Sequence, residues 1–159
     1  MMQNELTLPP TFVYRLDQRS EQEIFSHGFT SWGANEDLAA HVNGISTRNR
    51  TSAYIATTSD HEYMRRLMRI SAIAQNKIAE SPPDKFYVYK IITGNDFIHV
   101  ANKLGNTALL HMEGFINRQQ EWVALRKIPP SKIIEAEVYE RKEDGKYIRI
   151  KIVSRATNW

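Results

Sequence analysis

Helix and strand signals are unevenly distributed along this sequence, and that distribution constrains the fold more than any other feature. Helix signals concentrate in the first half. A capping box at residues 20–23 opens a helix that stops at Gly28, and a second helix is predicted from Asn35 to Gly44. A longer helix is predicted after a cap at Asp60 or Ser59. Its helical spacing places one apolar face at Tyr63, Leu67, Ile70 and Ala74.

Strand signals dominate the second half of the chain. Strands are predicted at residues 12–16, 53–57, 86–92, 122–125, 133–139 and 147–153. In the last of these, isoleucines at 148, 150 and 152 alternate with polar residues after an Asp144-Gly145 turn, which is typical of a strand with one apolar face. Because helices come early and strands late, the pattern favours an α+β fold over an alternating βαβ array.

Size and composition set limits on the function. A chain of 159 residues predicts one domain, which we place at residues 11–159 after a tail at 1–10. No cysteine is present, which excludes disulfides and thiolate chemistry, and no apolar run is long enough for a membrane helix, so no membrane insertion is expected. No signal peptide is visible at the N-terminus. The net charge of +3 predicts only mild attraction to polyanions.

Two charged residues have the chemistry of a ligand site. Arg15 lies on a predicted strand, where its guanidinium could hold a phosphate or carboxylate through two parallel bonds, or could pair with a surface carboxylate. Glu121 follows Gln119 by two residues, so both side chains point to the same side of an extended segment. One acid and one amide on a shared face suit the binding of a sugar hydroxyl, although a solvated strand face is the commoner explanation.

Other polar and aromatic residues permit both a functional and a structural interpretation. The hydroxyls of Thr57 and Thr58 end a predicted strand and can bond backbone groups. Single histidines and aromatics such as His41, Trp32 and Tyr63 are more often structural than catalytic. The remaining histidines show no metal-ligand spacing, so no metal site is predicted; they are His27, His61, His99 and His111.

Three blocks of the sequence, taken together and in order, resemble a known enzyme family. They are residues 13–44, with an arginine, aspartate, tryptophan and histidine at fixed intervals, the hydroxyl-rich strand 52–59, and residues 119–130, with Gln-x-Glu and Ile-Pro-Pro. This set resembles the catalytic subunit of pertussis toxin and its mono-ADP-ribosyltransferase relatives. The resemblance implies the ADP-ribosyltransferase fold, in which short N-terminal helices pack on two antiparallel-rich sheets around an NAD cleft.

The same resemblance implies a reaction and a set of roles. Such enzymes cleave the nicotinamide–ribose bond of NAD, their substrate, and transfer ADP-ribose to an acceptor without a metal. Glu121 would hold the ribose 2′-hydroxyl, Arg15 the pyrophosphate, and Gln119 would help select an acceptor other than arginine. His41 would orient the ribose or assist the acceptor. The other residues implied to contact NAD are Tyr14, Asp17, Trp32, Thr57, Thr58 and Tyr63.

The sequence also departs from the family pattern. Ala56 replaces the first serine of the Ser-Thr-Ser motif, and the cysteine expected just after Gly44 is absent. The long C-terminal extension that docks onto a binding oligomer is also missing, so we expect a stand-alone effector or a toxin domain. It would be secreted or injected, act in the cytosol of a target cell, and have an immunity protein or delivery partner as a possible companion.

The acceptor stays open between two macromolecules, with a protein favoured. The alternative is DNA or RNA, which a basic strand face formed by Arg149, Lys151 and Arg155 would contact. A third hypothesis is a binding module that keeps the fold without catalysis, to which only Ala56 points.

Overall fold

The computed structural model describes residues 8–43, 45–77, 81–105 and 120–155. Over these residues the helices are α1 (Glu21–His27), α2 (Leu38–Val42), α3 (Ile45–Arg48), α4 (Tyr63–Lys77) and α5 (Val100–Leu104), with a 3-10 helix at Pro130–Lys132. The strands are β1 (Phe12–Asp17), β2 (Phe29–Thr30), β3 (Tyr54–Thr58), β4 (Lys85–Ile92), β5 (Phe97–His99), β6 (Glu121–Leu125), β7 (Lys127–Ile128), β8 (Ile133–Arg141) and β9 (Tyr147–Ser154).

Two antiparallel sheets organise these strands. Seven form one sheet in the order β5-β6-β3-β1-β4-β8-β9, and β2 pairs with β7 in a second, two-stranded sheet. Every neighbouring pair in both sheets is antiparallel. The predicted α+β class with two antiparallel-rich sheets is confirmed, and each of the six predicted strands is present within one or two residues.

The large sheet is covered by apolar side chains on both faces. One cluster joins α1 and the small sheet to β1, β4 and β8; its members include Val13, Ile24, Phe25, Phe29, Tyr89, Ile91, Ile128 and Val138. A second cluster lies under α4 and includes Met64, Met68, Phe86, Val88 and Tyr139. The sheet is therefore the middle layer of the fold, and α4 covers the face opposite α1.

The predicted apolar face of α4 is wrong by about one residue. Met64 and Met68 are the buried pair, at 1% and 2% exposure, with Tyr63 and Leu67 packed beside them. Ile70, by contrast, is 48% exposed. Residues 63, 67, 70 and 74 and residues 64 and 68 form adjacent rows on a helix, so sequence spacing alone does not decide which row faces the sheet.

The caps of the first two helices also differ in part from prediction. Ser20 is the N-cap of α1 but its side chain makes no capping hydrogen bond, while Gly28 ends the helix as expected. The N-cap of α2 is Asp37, which accepts from the Ala40 backbone N–H at 3.1 Å. Asn35, predicted for that role, instead forms a parallel bridge with Ser52. Gly44, the predicted stop, lies outside the described residues.

A register shift changes the predicted face of β9. The pairing of β8 with β9 shifts between two neighbouring residues of β8: Val138 pairs with Lys151, but Tyr139 pairs with Arg149. Ile150, which lies between Arg149 and Lys151, therefore has no partner residue in β8. The alternation of residues across the strand is therefore interrupted. Ile148, Ile150 and Ile152 are 50%, 40% and 49% exposed, which means that the predicted apolar face is not buried.

Among the described residues no helix has both the length and the apolarity needed to cross a membrane.

Replacing Gly28 by alanine should destabilise the fold strongly. Gly28 has φ +71°, and a Cβ atom there would lie 2.2 Å from the carbonyl oxygen of Ile128, which belongs to the backbone of β7. The added atom must displace the contact between α1 and the small sheet, so we expect Gly28→Ala to lower the free energy of unfolding by more than 2 kcal/mol, an order-of-magnitude figure for overpacked sites. Urea denaturation measures the change.

Gly145→Ala is the matched control. Gly145 has φ +84°, but no atom lies within 4 Å of the position its Cβ would take. It should lose only the ~1–2 kcal/mol cost of a left-handed alanine. Equal losses in the two variants would contradict the assignment of the Gly28 effect to close packing.

Candidate active site

A cleft opens where two neighbouring strands in the middle of the large sheet separate. β1 and β3 are registered at one residue pair, Tyr14 opposite Thr58, whereas β1 and β4 are paired along their full length. Beyond that pair a cavity of about 290 Å³ opens. Its lining residues are Tyr14, Arg15, Leu16, Ala56, Thr57, Thr58, Tyr63, Met64, Leu67 and Glu121.

Arg15 crosses the gap between the separated strands. Its Nη1 donates to the carbonyl oxygen of Ala56 at 2.9 Å, and its guanidinium lies 5.2 Å from the centre of the Phe29 ring. Its Nε is buried without a hydrogen-bond partner among the described residues, with Asp17 Oδ2 at 3.8 Å. Burial lowers the pKa of Arg15, an effect that the Asp17 charge opposes. Arginine has five N–H donors, and the Arg15 side chain, which spends one of them on Ala56, lines the cavity.

Asp17 holds a second arginine beside the first. The Asp17 carboxylate accepts from Arg19 Nε at 2.9 Å and Nη2 at 2.7 Å, and from the Arg19 backbone N–H at 2.8 Å. Burial alone would raise the pKa of Asp17, but the hydrogen bonds of Arg19 and the charge of Arg15 hold it below its usual value. Asp17 does not line the cavity. Its hydrogen bonds instead hold the Arg19 side chain in position.

Arg19 was not identified from the sequence, although its spacing offered a signal. Arg15, Asp17 and Arg19 stand at every second position, which is the spacing that places side chains together in extended chain. The Arg19 guanidinium lies 5.8 Å from the Trp32 ring, and that of Arg50 lies 5.1 Å from it. Trp32 is 57% exposed and lies outside the cavity lining, so the structure places it in a cationic surface cluster.

Glu121 and His41 meet at the inner wall of the cleft. Glu121 begins β6 directly opposite Thr58, and its side chain is buried. His41 Nε2 lies 3.6 Å from Glu121 Oε2, and its Nδ1 lies 2.7 Å from Ser52 Oγ. The Ser52 oxygen also accepts from the Tyr54 backbone N–H at 3.0 Å. When the serine hydroxyl donates to Nδ1, the ring proton is on Nε2 and faces the glutamate.

Ser52 is thus a further site residue that sequence reasoning missed. It stands at the start of the hydroxyl-rich block but was assigned no role, because nothing local indicates that a serine will bond a histidine eleven residues earlier. The contact depends on the bridge between Asn35 and Ser52, which brings the loop before α2 against the start of β3.

The two threonines of the cleft use their hydroxyls within the fold. Thr57 Oγ1 donates to the backbone carbonyl of Trp122 at 2.6 Å, which ties β3 to β6 next to Glu121. Thr58 Oγ1 accepts from the Asp60 backbone N–H at 3.0 Å in the turn toward α4. Both residues therefore fix the strand ends that carry the cavity wall.

The structure brings most of the predicted site residues together. Around one cavity lie Tyr14, Arg15, Thr57, Thr58, Tyr63 and Glu121, with His41 next to Glu121. Asp17 and Trp32 lie to one side with Arg19, and Gln119 lies outside the described residues. Within the described part of the chain no group of three His, Cys, Asp or Glu side chains is arranged to hold a metal ion.

Comparison with known proteins assigns the family. The model of the family described as pertussis toxin, subunit 1, matches residues 8–143. The chain belongs to the pertussis toxin subunit 1 family. This confirms the predicted resemblance to the pertussis toxin family.

Individual relatives agree with the family. Pertussis toxin subunit 1 of Bordetella pertussis is 30% identical over 139 residues, covering 79% of this chain and 52% of that protein. The ADP-ribosylating toxin CARDS of Mycoplasma pneumoniae is 32% identical over 89 residues, covering 56% of this chain and 14% of that protein. The chain therefore spans about half the length of the Bordetella protein.

Solved structures confirm the fold. EcPltA superposes with a TM-score of 0.75 at 27% identity, covering 92% of this chain and 86% of its own. A variant of the scabin toxin from Streptomyces scabies superposes with a TM-score of 0.63 at 19% identity, covering 91% of this chain and 73% of its own. The predicted ADP-ribosyltransferase fold is confirmed.

Asp17→Asn should destabilise the protein in a pH-dependent way. A carboxylate with a lowered folded-state pKa contributes its stability above its unfolded pKa, about 3.9, and loses it as the pH falls through the folded value. We expect Asp17→Asn to unfold about 1.5–3 kcal/mol more easily at pH 7, and the difference to shrink below about pH 4. Urea unfolding of both proteins at a series of pH values measures this.

Glu23→Gln is the control, because Glu23 lies 3.8 Å from the same arginine but its side chain is 53% exposed. It should change stability little at any pH. A difference between Asp17→Asn and the unchanged protein that stays constant down to pH 2 would contradict the inferred ionisation.

Proposed function

We propose that this chain is a mono-ADP-ribosyltransferase toxin or effector that uses NAD and modifies a residue other than arginine on a target protein. The observation that carries this is that a partly unsatisfied arginine and a buried glutamate, Arg15 and Glu121, line one cavity between β1 and β3. In the reaction the bond between nicotinamide and ribose C1′ breaks, nicotinamide leaves with the electron pair, and the acceptor bonds to C1′ and releases its proton.

Arg15 would bind the pyrophosphate of NAD. One N–H of Arg15 is used by Ala56, and the side chain lines the cavity, so further donors remain for phosphate oxygens. Arg19 adds a second positive charge on the same strand end, held in place by Asp17. Together with Asp17 the two arginines carry one net positive charge, which suits an anionic pyrophosphate and supports NAD as the substrate.

Glu121 would act on the ribose. Its carboxylate can accept the 2′-hydroxyl proton in a hydrogen bond that strengthens as positive charge develops on the sugar ring, which lowers the barrier more than it improves substrate binding. Its burial beside Thr58 limits competition from water. His41 and Ser52 would act as positioning residues, because the histidine lies against Glu121 and the serine fixes the histidine ring.

The replacement of the family serine by Ala56 is compatible with activity. Arg15 bonds the backbone carbonyl of Ala56, which any residue provides, and Thr57 secures the strand through its own hydroxyl. The hypothesis of an inactive binding module therefore loses its one sequence argument.

A protein acceptor is favoured over DNA or RNA. Of the three cations expected to contact a nucleic-acid backbone, Arg149 donates to Glu137 at 2.9 Å and Arg155 donates to the Ile133 carbonyl at 2.8 Å. Of these three cations, only Lys151 has no acceptor among the described residues. The strand face therefore attracts a nucleic-acid backbone only weakly. A non-arginine acceptor, delivery by secretion or injection, and an immunity or delivery partner rest on the family resemblance.

Glu121→Gln should abolish transfer without unfolding the chain. The variant keeps the size of the side chain but loses the negative charge, so we expect nicotinamide release and labelling to fall by at least ~10²-fold. The measurement is incubation of cell lysate with a clickable NAD analogue, followed by a gel with and without nuclease or protease. Label that disappears with protease identifies a protein acceptor.

Glu140→Gln is the control, since Glu140 also lies on a strand but its side chain is 41% exposed and pairs with Lys142. It should label like the unchanged chain. Absence of both nicotinamide release and label from the unchanged chain would reject the enzyme hypothesis.

Ser52→Ala should reduce turnover while leaving NAD binding nearly intact. Loss of one hydrogen bond of about 1 kcal/mol to His41 predicts a fall in kcat of about 5-fold with little change in KM. Ser52→Thr retains the hydroxyl and should restore most of the rate. Steady-state kinetics of nicotinamide release provides both constants, and an equal loss in both variants would argue against the positioning role.

A further inference from the structure

A second cavity of about 640 Å³ lies beside α4, on the side of the helix that faces away from most of the cleft. Its walls are α4 and the hairpin formed by β8 and β9. None of the residues assigned to the NAD site lines it. The cavity is therefore a distinct feature that NAD binding does not explain.

The walls of this cavity carry an excess of positive charge. Arg65 and Arg69 come from α4, and Lys146 and Arg149 come from the hairpin, against one lining carboxylate, Asp144. Within the described residues no carboxylate lies within 4.0 Å of Arg65, Arg69 or Lys146. Arg149 is paired with Glu137 at 2.9 Å, but its side chain remains 52% exposed. Three uncompensated cations thus face one groove, which favours an acidic ligand.

The apolar surface of the cavity is aliphatic. Ile73 on α4 and Ile148 on β9 are about half exposed at its rim. Neither tyrosine of the wall offers a free ring face, since Tyr139 is 4% exposed and the Tyr147 ring packs edge-on against Phe86, with ring centres 4.9 Å apart. Single-stranded nucleic acid binds through stacking on exposed aromatic rings, whereas aliphatic side chains suit the leucines and isoleucines of a peptide.

We infer that this groove docks an acidic segment of the acceptor protein, with its aliphatic side chains against Ile73 and Ile148 and its carboxylates on Arg65, Arg69 and Lys146. The inference rests on the proposed function, because it assigns the groove to the substrate protein of the same reaction. The positive charge and the aliphatic rim of the groove together favour a protein segment that carries both carboxylates and aliphatic side chains.

The position of the groove fits this role. Met64 lines the NAD cleft and Met68, one turn later on α4, lines the groove. An α-helix with its side chains is about 10–12 Å across, so a segment bound in the groove lies roughly one helix width from the cleft. Docking there would hold the acceptor near the reacting ribose and raise its effective concentration.

The test compares two arginines of α4. Arg69 lines the groove and Arg66 does not, although both are exposed and both change charge equally when replaced by glutamate. The probe is a fluorescein-labelled peptide of glutamate and leucine, and its binding is followed by fluorescence anisotropy. We expect Arg69→Glu to weaken binding by about 10-fold and Arg66→Glu to leave it nearly unchanged.

Activity measurements separate this inference from the proposed function. Both variants should release nicotinamide from NAD at the rate of the unchanged chain, whereas labelling of lysate proteins should fall only in Arg69→Glu. If the unchanged chain releases no nicotinamide, the proposed function fails while the anisotropy result still decides the docking. Equal peptide binding by the two variants, or no binding at all, overturns the inference. Displacement of the peptide by a single-stranded oligonucleotide that itself requires Arg69 would assign the groove to nucleic acid and also overturn it.

Discussion

The hydrogen bond from Arg15 to the Ala56 carbonyl is the interaction on which the geometry of the candidate site depends. A sheet can open in its middle only if the backbone groups left without a ladder partner find another one. Arg15 supplies that partner from its side chain while its guanidinium contacts Phe29 of the small sheet. The same residue therefore keeps the cleft open, joins the two sheets and presents positive charge to the cavity.

The opposite wall is held by residues that are distant in sequence. Glu121 belongs to β6, but its neighbour His41 comes from α2, and Ser52 fixes the His41 ring from the start of β3. The short helices near the N-terminus therefore help to position the Glu121 carboxylate, in addition to packing in the hydrophobic core. Because each contact spans a different pair of elements, the geometry of Glu121 is set by the whole fold and not by its strand.

The strands and the family were predictable from the sequence, because they depend on local propensity and on residue types at fixed spacing. The sequence did not predict contacts decided by tertiary packing. Asn35 and Asp37 are equally good caps, and only the bridge to Ser52 excludes the first. The site contact of Ser52 had no local signal, and neither did the register shift that leaves Ile150 unpaired. Gln119 stays a prediction because it lies outside the described residues.

The irregular pairing of β9 has a consequence for how molecules of this protein meet. β9 is the last strand of the large sheet, so within the described residues no further strand pairs with its outer edge. A straight strand rich in isoleucine would invite such addition, and with it aggregation. The pairing shift at Ile150 makes this edge irregular, and Lys151 beside it adds charge that repels an identical edge. Addition of an identical β9 edge is thereby disfavoured, and recognition on this side of the sheet is left to the side chains of the neighbouring groove.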